Sequence, residues 1–240
     1  YRYQRYMSQP AIGVNCGVLA LAREAKTVLR TSWAPRYVLP RQIPRAGSTA
    51  PRDYVSLSDP AFALEEMRCL PEEYQVWIDA LEGRIDPEAD TASEADARAE
   101  RAKFQSDIDA YRAESNDILR GVDLLQRAQV AYRKDPKCLA GAPYKAWLLM
   151  NETFREDSQG RVKFEQWRLF QLAFILAQIP GFASRVPDYA SEFDPARDEE
   201  TASLLYFATG GGKSEAFFGA VIYLLFLDRL RGKRLGVSAL

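Results

Sequence analysis

Ser203-Leu204-Leu205-Tyr206-Phe207-Ala208, then Thr209-Gly210-Gly211-Gly212-Lys213-Ser214-Glu215, then an apolar run from Ala216 to Leu230: this stretch decides how the chain is read. A short apolar segment, a glycine cluster, Lys-Ser and a helical run follow the order strand, loop, helix that a phosphate-binding loop requires. Glycines let the backbone curl into a nest whose amides point inward at an anion. The positive end of the helix that follows helps hold that anion. In this pattern Lys213 reaches the β- and γ-phosphates of ATP, and the Ser214 hydroxyl is a hard ligand for Mg²⁺. Thr209, Gly210, Gly211, Gly212 and Glu215 complete the candidate ATP-binding set, with Lys213 as its catalytic member.

The general pattern GxxxxGK[ST] wants a glycine where this chain has Phe207, so a strict match fails. The loop Ala208-Thr209-Gly210-Gly211-Gly212-Lys213-Ser214 instead resembles motif I of superfamily 2 helicases. A flexible Gly-Gly-Gly linker is the competing reading, but a linker needs neither the apolar run before it nor the apolar helix after it. Upstream stands Gln166-Trp167-Arg168-Leu169-Phe170-Gln171. In many superfamily 2 helicases an aromatic-and-glutamine element ahead of motif I reads adenine. A Gln amide donates and accepts at once, which suits the adenine edge. Gln171 and Arg168 therefore join the ATP-binding candidates, and Phe170 or Trp167 could pack near the base. As plain helix residues, these aromatics also suit a core.

Leu235-Gly236-Val237-Ser238-Ala239-Leu240 reads as a second strand, which would complete one βαβ unit of a parallel sheet. A helicase core also needs a Walker B pair and a second RecA-like lobe with an arginine finger. Asp198-Glu199-Glu200 has no apolar strand ahead of it and does not fit Walker B. The chain is thus expected to be the front of a longer protein and inactive alone in ATP hydrolysis.

Composition agrees with chemistry of this kind. The 240 residues contain no His, so Ser-His-Asp, Cys-His and imidazole–metal chemistry are all excluded. Phosphoryl transfer needs none of them. Cys16, Cys69 and Cys138 form no CxxC pair and read as reduced thiols of a cytosolic protein. The N-terminus lacks the apolar region of a signal peptide, and the most apolar run, Ala216 to Leu227, is too short to span a bilayer. A cytoplasmic protein without membrane contact is expected.

The net charge of −1 hides a basic head, +6 over residues 1–60, and an acidic middle, −9 over 61–120. The head, rich in Pro and Gly, reads as short strands at Gly17–Ala22, Thr27–Trp33 and Arg36–Leu39. Its basic surface either faces phosphates or is solvated or docked on the acidic middle. For DNA contact, Arg2 and Arg5, alternating with tyrosines, are the candidates. Ser58-Asp59-Pro60 signals a helix entry, and Pro71 opens a helix ended by Gly83. Residues 86–103 are a solvated helix or a linker. Phe104, Ile108, Tyr111, Ile118, Val122 and Leu125 then mark an amphipathic helix stopped by Pro136. Further helices are expected over Ala142–Phe154 and Val162–Ile179, the latter ended by Pro180-Gly181. Asp157–Gly160 reads as a turn and Asp188–Glu200 as an acidic loop. The fold class is α/β, mostly α in the middle. It divides into a β-rich segment (1–60), a helical domain (61–160) and the start of a RecA-like P-loop parallel sheet (161–240).

Residues 167–176, 204–216 and 223–231 together resemble the DrmA helicases of DISARM antiphage systems, as do Gly121–Leu125 and Leu149–Glu152 in order and spacing. Over 1–85 the resemblance is looser, and only pieces such as Asn15-Cys16-Gly17 and Ala34-Pro35-Arg36-Tyr37 fit. Ser214 stands where many relatives have Thr, and Ala208 where many have Pro. The resemblance implies a large superfamily 2 ATPase acting on DNA. It also implies a DUF1998-type (DrmB-like) partner subunit in a system that restricts phage DNA. The residues alone leave two other readings: a P-loop ATPase of another class, such as a protein-remodelling motor, or an interaction module with a vestigial nucleotide site.

Overall fold

The computed structural model describes residues 16–23, 26–33, 47–89, 93–158, 165–205 and 211–233. These are mostly helical. They fall into two compact units: the described residues of Tyr1–Arg41 with those of Asp86–Phe104, and those of Gln42–Ile85 with Gln105–Leu240.

In the first unit, β1 (Val18–Arg23) and β2 (Lys26–Thr31) form an antiparallel hairpin with Val18 opposite Thr31 and Arg23 opposite Lys26. Gly17 N–H donates to the Trp33 carbonyl at 2.6 Å and extends the ladder. The short strands expected there are present, while the one expected at Arg36–Leu39 lies outside the described residues.

The second unit is built of helices: α1 (Tyr54–Leu57), α2 (Cys69–Arg84), α3 (Glu94–Lys134, whose first turns are counted with the other unit), α4 (Ala142–Ser158), α5 (Leu169–Ala183), α6 (Pro195–Asp198) and α7 (Lys213–Leu230). Its core is one cluster in which Leu124, Leu125, Trp147, Met150, Trp167, Leu176 and Tyr223 are all buried. The three cysteines are free.

Several boundaries differ from the sequence expectation, each for a local reason. Ser58-Asp59-Pro60 opens no α-helix: Asp59 Oδ1 accepts from Ala61 N–H at 2.8 Å, and its carbonyl accepts from Phe62 N–H. Such short side-chain bonds compete with helix propagation. A 3₁₀ turn, Leu64–Arg68, intervenes before α2, which keeps Pro71 in its first turn, where the missing N–H costs nothing. Gly83 stays helical. Of residues 86–103, those from Glu94 onward are helix and continuous with the amphipathic run. The expected turn at Asp157 is the last turn of α4.

The helix expected from Val162 begins at Leu169, because residues 165–167 are extended and pair with 52–54: Trp167 N–H donates to the Arg52 carbonyl at 2.8 Å. Pro180 does not end this helix, which continues to Ala183. The acidic loop at 188–200 contains a 3₁₀ segment (Pro187–Glu192) and α6, the latter capped by Asp194 Oδ1 on Ala196 N–H at 3.1 Å.

The expected parallel sheet is not found among the described residues. Ser203–Leu205 have irregular backbone with no ladder partner there, and Leu204 is 88% exposed rather than buried. Residues 206–210 and the second expected strand, 235–240, lie outside the described residues. The hairpin is the sheet that is seen.

Candidate functional site

Gly211 and Gly212, which lead into α7, are held by residues at the start of α5. Gly212 precedes α7 with φ 88° and ψ 27°, a left-handed conformation that glycine adopts without strain. A left-handed residue at the head of a helix turns successive amides to one side, as in an anion-binding nest. Lys213 is the first residue of α7 and half-buried, Ser214 is exposed in the first turn, and Gly211 is buried.

Two side chains hold the Gly211 and Gly212 carbonyls. Arg168 Nη1 donates to the Gly211 carbonyl at 2.6 Å, and Gln171 Nε2 donates to the Gly212 carbonyl at 2.6 Å. Gln171 is itself fixed, because its Oε1 accepts from Arg168 N–H at 2.7 Å as the cap of α5. The structure thus brings together Arg168, Gln171, Gly211, Gly212 and Lys213. Ser214 and Glu215 follow on the same helix. Thr209, Gly210, Arg2 and Arg5 lie outside the described residues.

Glu215 Oε2 is buried and has no hydrogen-bond partner among the described residues. It would sit 3.3 Å from a Cβ placed on Gly212, so the carboxylate lies under the loop. Its charge also reaches Tyr54. Burial first, and then Glu215 and Asp157, push the Tyr54 phenol up to about 12.

Behind the loop is a buried scaffold in which Trp167, expected near the base or in a core, lies in the core with Asn151, Phe154, Tyr54 and Gly219, which the sequence reading did not assign to the site. Trp167 is 1% exposed, and its indole N–H donates to Asn151 Oδ1 at 2.8 Å. Asn151 in turn donates to the Trp147 carbonyl at 2.9 Å. The Trp167 ring packs on Phe154 with centroids 4.3 Å apart and edge-on to Tyr54 at 5.2 Å. Gly219 of α7 lies against Trp167 and Ile175, where an added Cβ would meet atoms at 2.9 and 2.5 Å. Two signals were present in the sequence: a lone Asn inside the apolar stripe of Trp147, Met150 and Phe154, and a glycine in the middle of an apolar helix. Phe170, by contrast, lines a groove of about 1570 Å³ between α2, α3 and α5.

Chemically, the cluster offers one lysine and one guanidinium at the positive end of a helix, with an exposed hydroxyl one residue on. That set suits a phosphate-bearing ligand. Among the described residues no group of His, Cys, Asp or Glu is arranged to hold a metal ion, and none of the helices is long and apolar enough to cross a membrane.

The chain is distantly related to the DISARM protein DrmA. It is 26% identical to DrmA of Bacillus paralicheniformis over 185 residues, which is 75% of this chain. The chain spans about 15% of the length of DrmA. No family model and no solved structure matches it.

Proposed function

We propose that this chain carries the nucleotide-binding start of an ATP-dependent DNA helicase or translocase of superfamily 2, in a DISARM-like defence against phage DNA. One observation supports this most: Arg168 and Gln171 donate to the Gly211 and Gly212 carbonyls, which ties the two residues ahead of Lys213 to the start of α5 and favours a binding loop over a linker. With those two carbonyls bonded, the backbone leading into α7 is ordered before a β-phosphate of ATP arrives, which lowers the cost of binding. Lys213 stabilises charge on the transferring phosphoryl group, and Arg168 adds positive charge beside it.

An exposed Ser214 hydroxyl fits Mg²⁺, which takes a single protein oxygen readily when phosphate and water supply the rest. Such an ion, when bound, would neutralise phosphate charge. Hydrolysis also needs a water-activating carboxylate and an arginine finger, which this reading assigns to the rest of the protein. Similarity to DrmA further favours a multi-subunit system, with a DUF1998-type (DrmB-like) subunit as partner and DNA as substrate.

The test is DNA-stimulated ATP hydrolysis by the intact protein. Wild type should hydrolyse ATP faster with DNA, and Lys213→Ala should abolish turnover while leaving the circular dichroism melt unchanged. Wild-type turnover in Lys213→Ala would sink the assignment.

A further inference from the structure

We infer that the site takes nucleoside triphosphates irrespective of their base, with Gln171 and Arg168 as positioning residues of the glycine loop and not as readers of adenine. This rests on the nucleotide reading above and names its substrate class. The Gln171 amide has one acceptor oxygen and one NH₂ group, and reading the adenine edge needs both in the same plane. Here the oxygen accepts from Arg168 N–H at 2.7 Å and the NH₂ group donates to the Gly212 carbonyl at 2.6 Å, and these two bonds fix the plane of the amide. The partners fix which end is which, since a backbone N–H only donates and a carbonyl only accepts. Gln171 is 4% exposed, so neither edge of the amide is offered to a ligand.

Of the two aromatics that could pack near a base, Phe170 lines the groove between α2, α3 and α5, and Trp167 is committed to the core. Trp167 is buried among Tyr54, Phe154 and Gly219, and its indole N–H is bonded to Asn151. Turning Gln171 toward a base would release the Gly212 carbonyl and the Arg168 amide together. Turning Trp167 would leave Oδ1 of the fully buried Asn151 without the indole N–H. A buried polar group left unpaired costs about 1–3 kcal/mol, about as much as one good base contact returns. The element therefore serves the loop, and affinity comes from the phosphates.

Binding to the intact protein decides this, read as displacement of a fluorescent ATP analogue by ATP, GTP, CTP and UTP in the presence of Mg²⁺. All four should compete within about threefold of one another, less than one hydrogen bond's worth of discrimination. Gln171→Ala should weaken all four by the same factor, between about twofold and tenfold, through loss of the loop bond. A merely structural loss elsewhere would lower the melting temperature without this uniform loss of affinity. A preference for ATP over GTP of about tenfold or more in wild type overturns the inference, whether or not Gln171→Ala removes it. That result leaves the nucleotide reading intact, whereas failure of every triphosphate to bind overturns both.

Discussion

Gly121 of α3 lies directly on the main-chain carbonyl of Leu176 in α5: a Cβ placed on Gly121 would be 2.0 Å from that oxygen. Leu176 is four residues before Pro180, which has no N–H to donate to it. The carbonyl freed by the proline is the one the glycine covers. Proline inside a helix normally costs about 3 kcal/mol or more, and here the neighbouring helix fits the defect. Beside this contact α5 runs on through Pro180 to Ala183, and α5 carries Gln171.

Replacing Gly121 with Val should therefore destabilise the protein by about 3 kcal/mol, the upper end for overpacking, because the clash is with backbone that cannot rotate away. Gly83 gives the control. It is helical and exposed with nothing within 4 Å of an added Cβ, so Gly83→Ala should stabilise by up to about 0.5–1 kcal/mol. Urea denaturation followed by circular dichroism reads both, and a neutral Gly121→Val would refute the close approach.

Gly212→Ala should damage the site more than the fold. Its φ of 88° costs an alanine about 1–2 kcal/mol, and the new Cβ would be 2.7 Å from Gln171 Nε2. The expected result is a modest fall in melting temperature, about 2–8 °C, with loss of nucleotide binding. Full binding by Gly212→Ala would show that the loop conformation is not required.

Trp167→Phe keeps an aromatic ring but leaves Asn151 Oδ1 buried and unpaired, which should cost about 1–3 kcal/mol. Asn151→Leu in the same background should cost much less than it does alone, since both partners are then removed. Additive losses in the denaturation cycle would mean that the indole–amide bond contributes nothing.

Alkaline stability should depend on Tyr54. Burial, with Glu215 and Asp157 beside it, raises its folded-state pKa from 10.0 to about 12. A raised pKa favours the protonated phenol in the fold. The associated stability is complete below pH 10, falls as pH rises, and is gone above about 12. Tyr189, held at about 12 mainly by burial, adds to the same limb. Thermal melts between about pH 9 and 11 should show a shallower loss for Tyr54→Phe than for wild type. Equal slopes would show that Tyr54 does not titrate as assigned.

Residues 209–215 by themselves gave a loop that the structure, where described, shows turning through a left-handed Gly212 into α7, and the Trp167–Gln171 element already pointed to that loop. Local signals sufficed there, because glycine conformation and apolar periodicity are properties of neighbouring residues. They did not suffice for what Gln171 touches: its amide could face a base or the Gly212 carbonyl, and only the approach of α5 to the loop selects the carbonyl. Pro180 likewise reads as a stop until Gly121 is found against the Leu176 carbonyl. Ser203–Leu205 read as a buried strand from apolarity alone, yet a strand exists only through its ladder partner, and none is present among the described residues. The sequence determined the long amphipathic helices and where the glycine loop lies. The tertiary structure decided which hydrogen bonds close, because those depend on groups far apart in the chain.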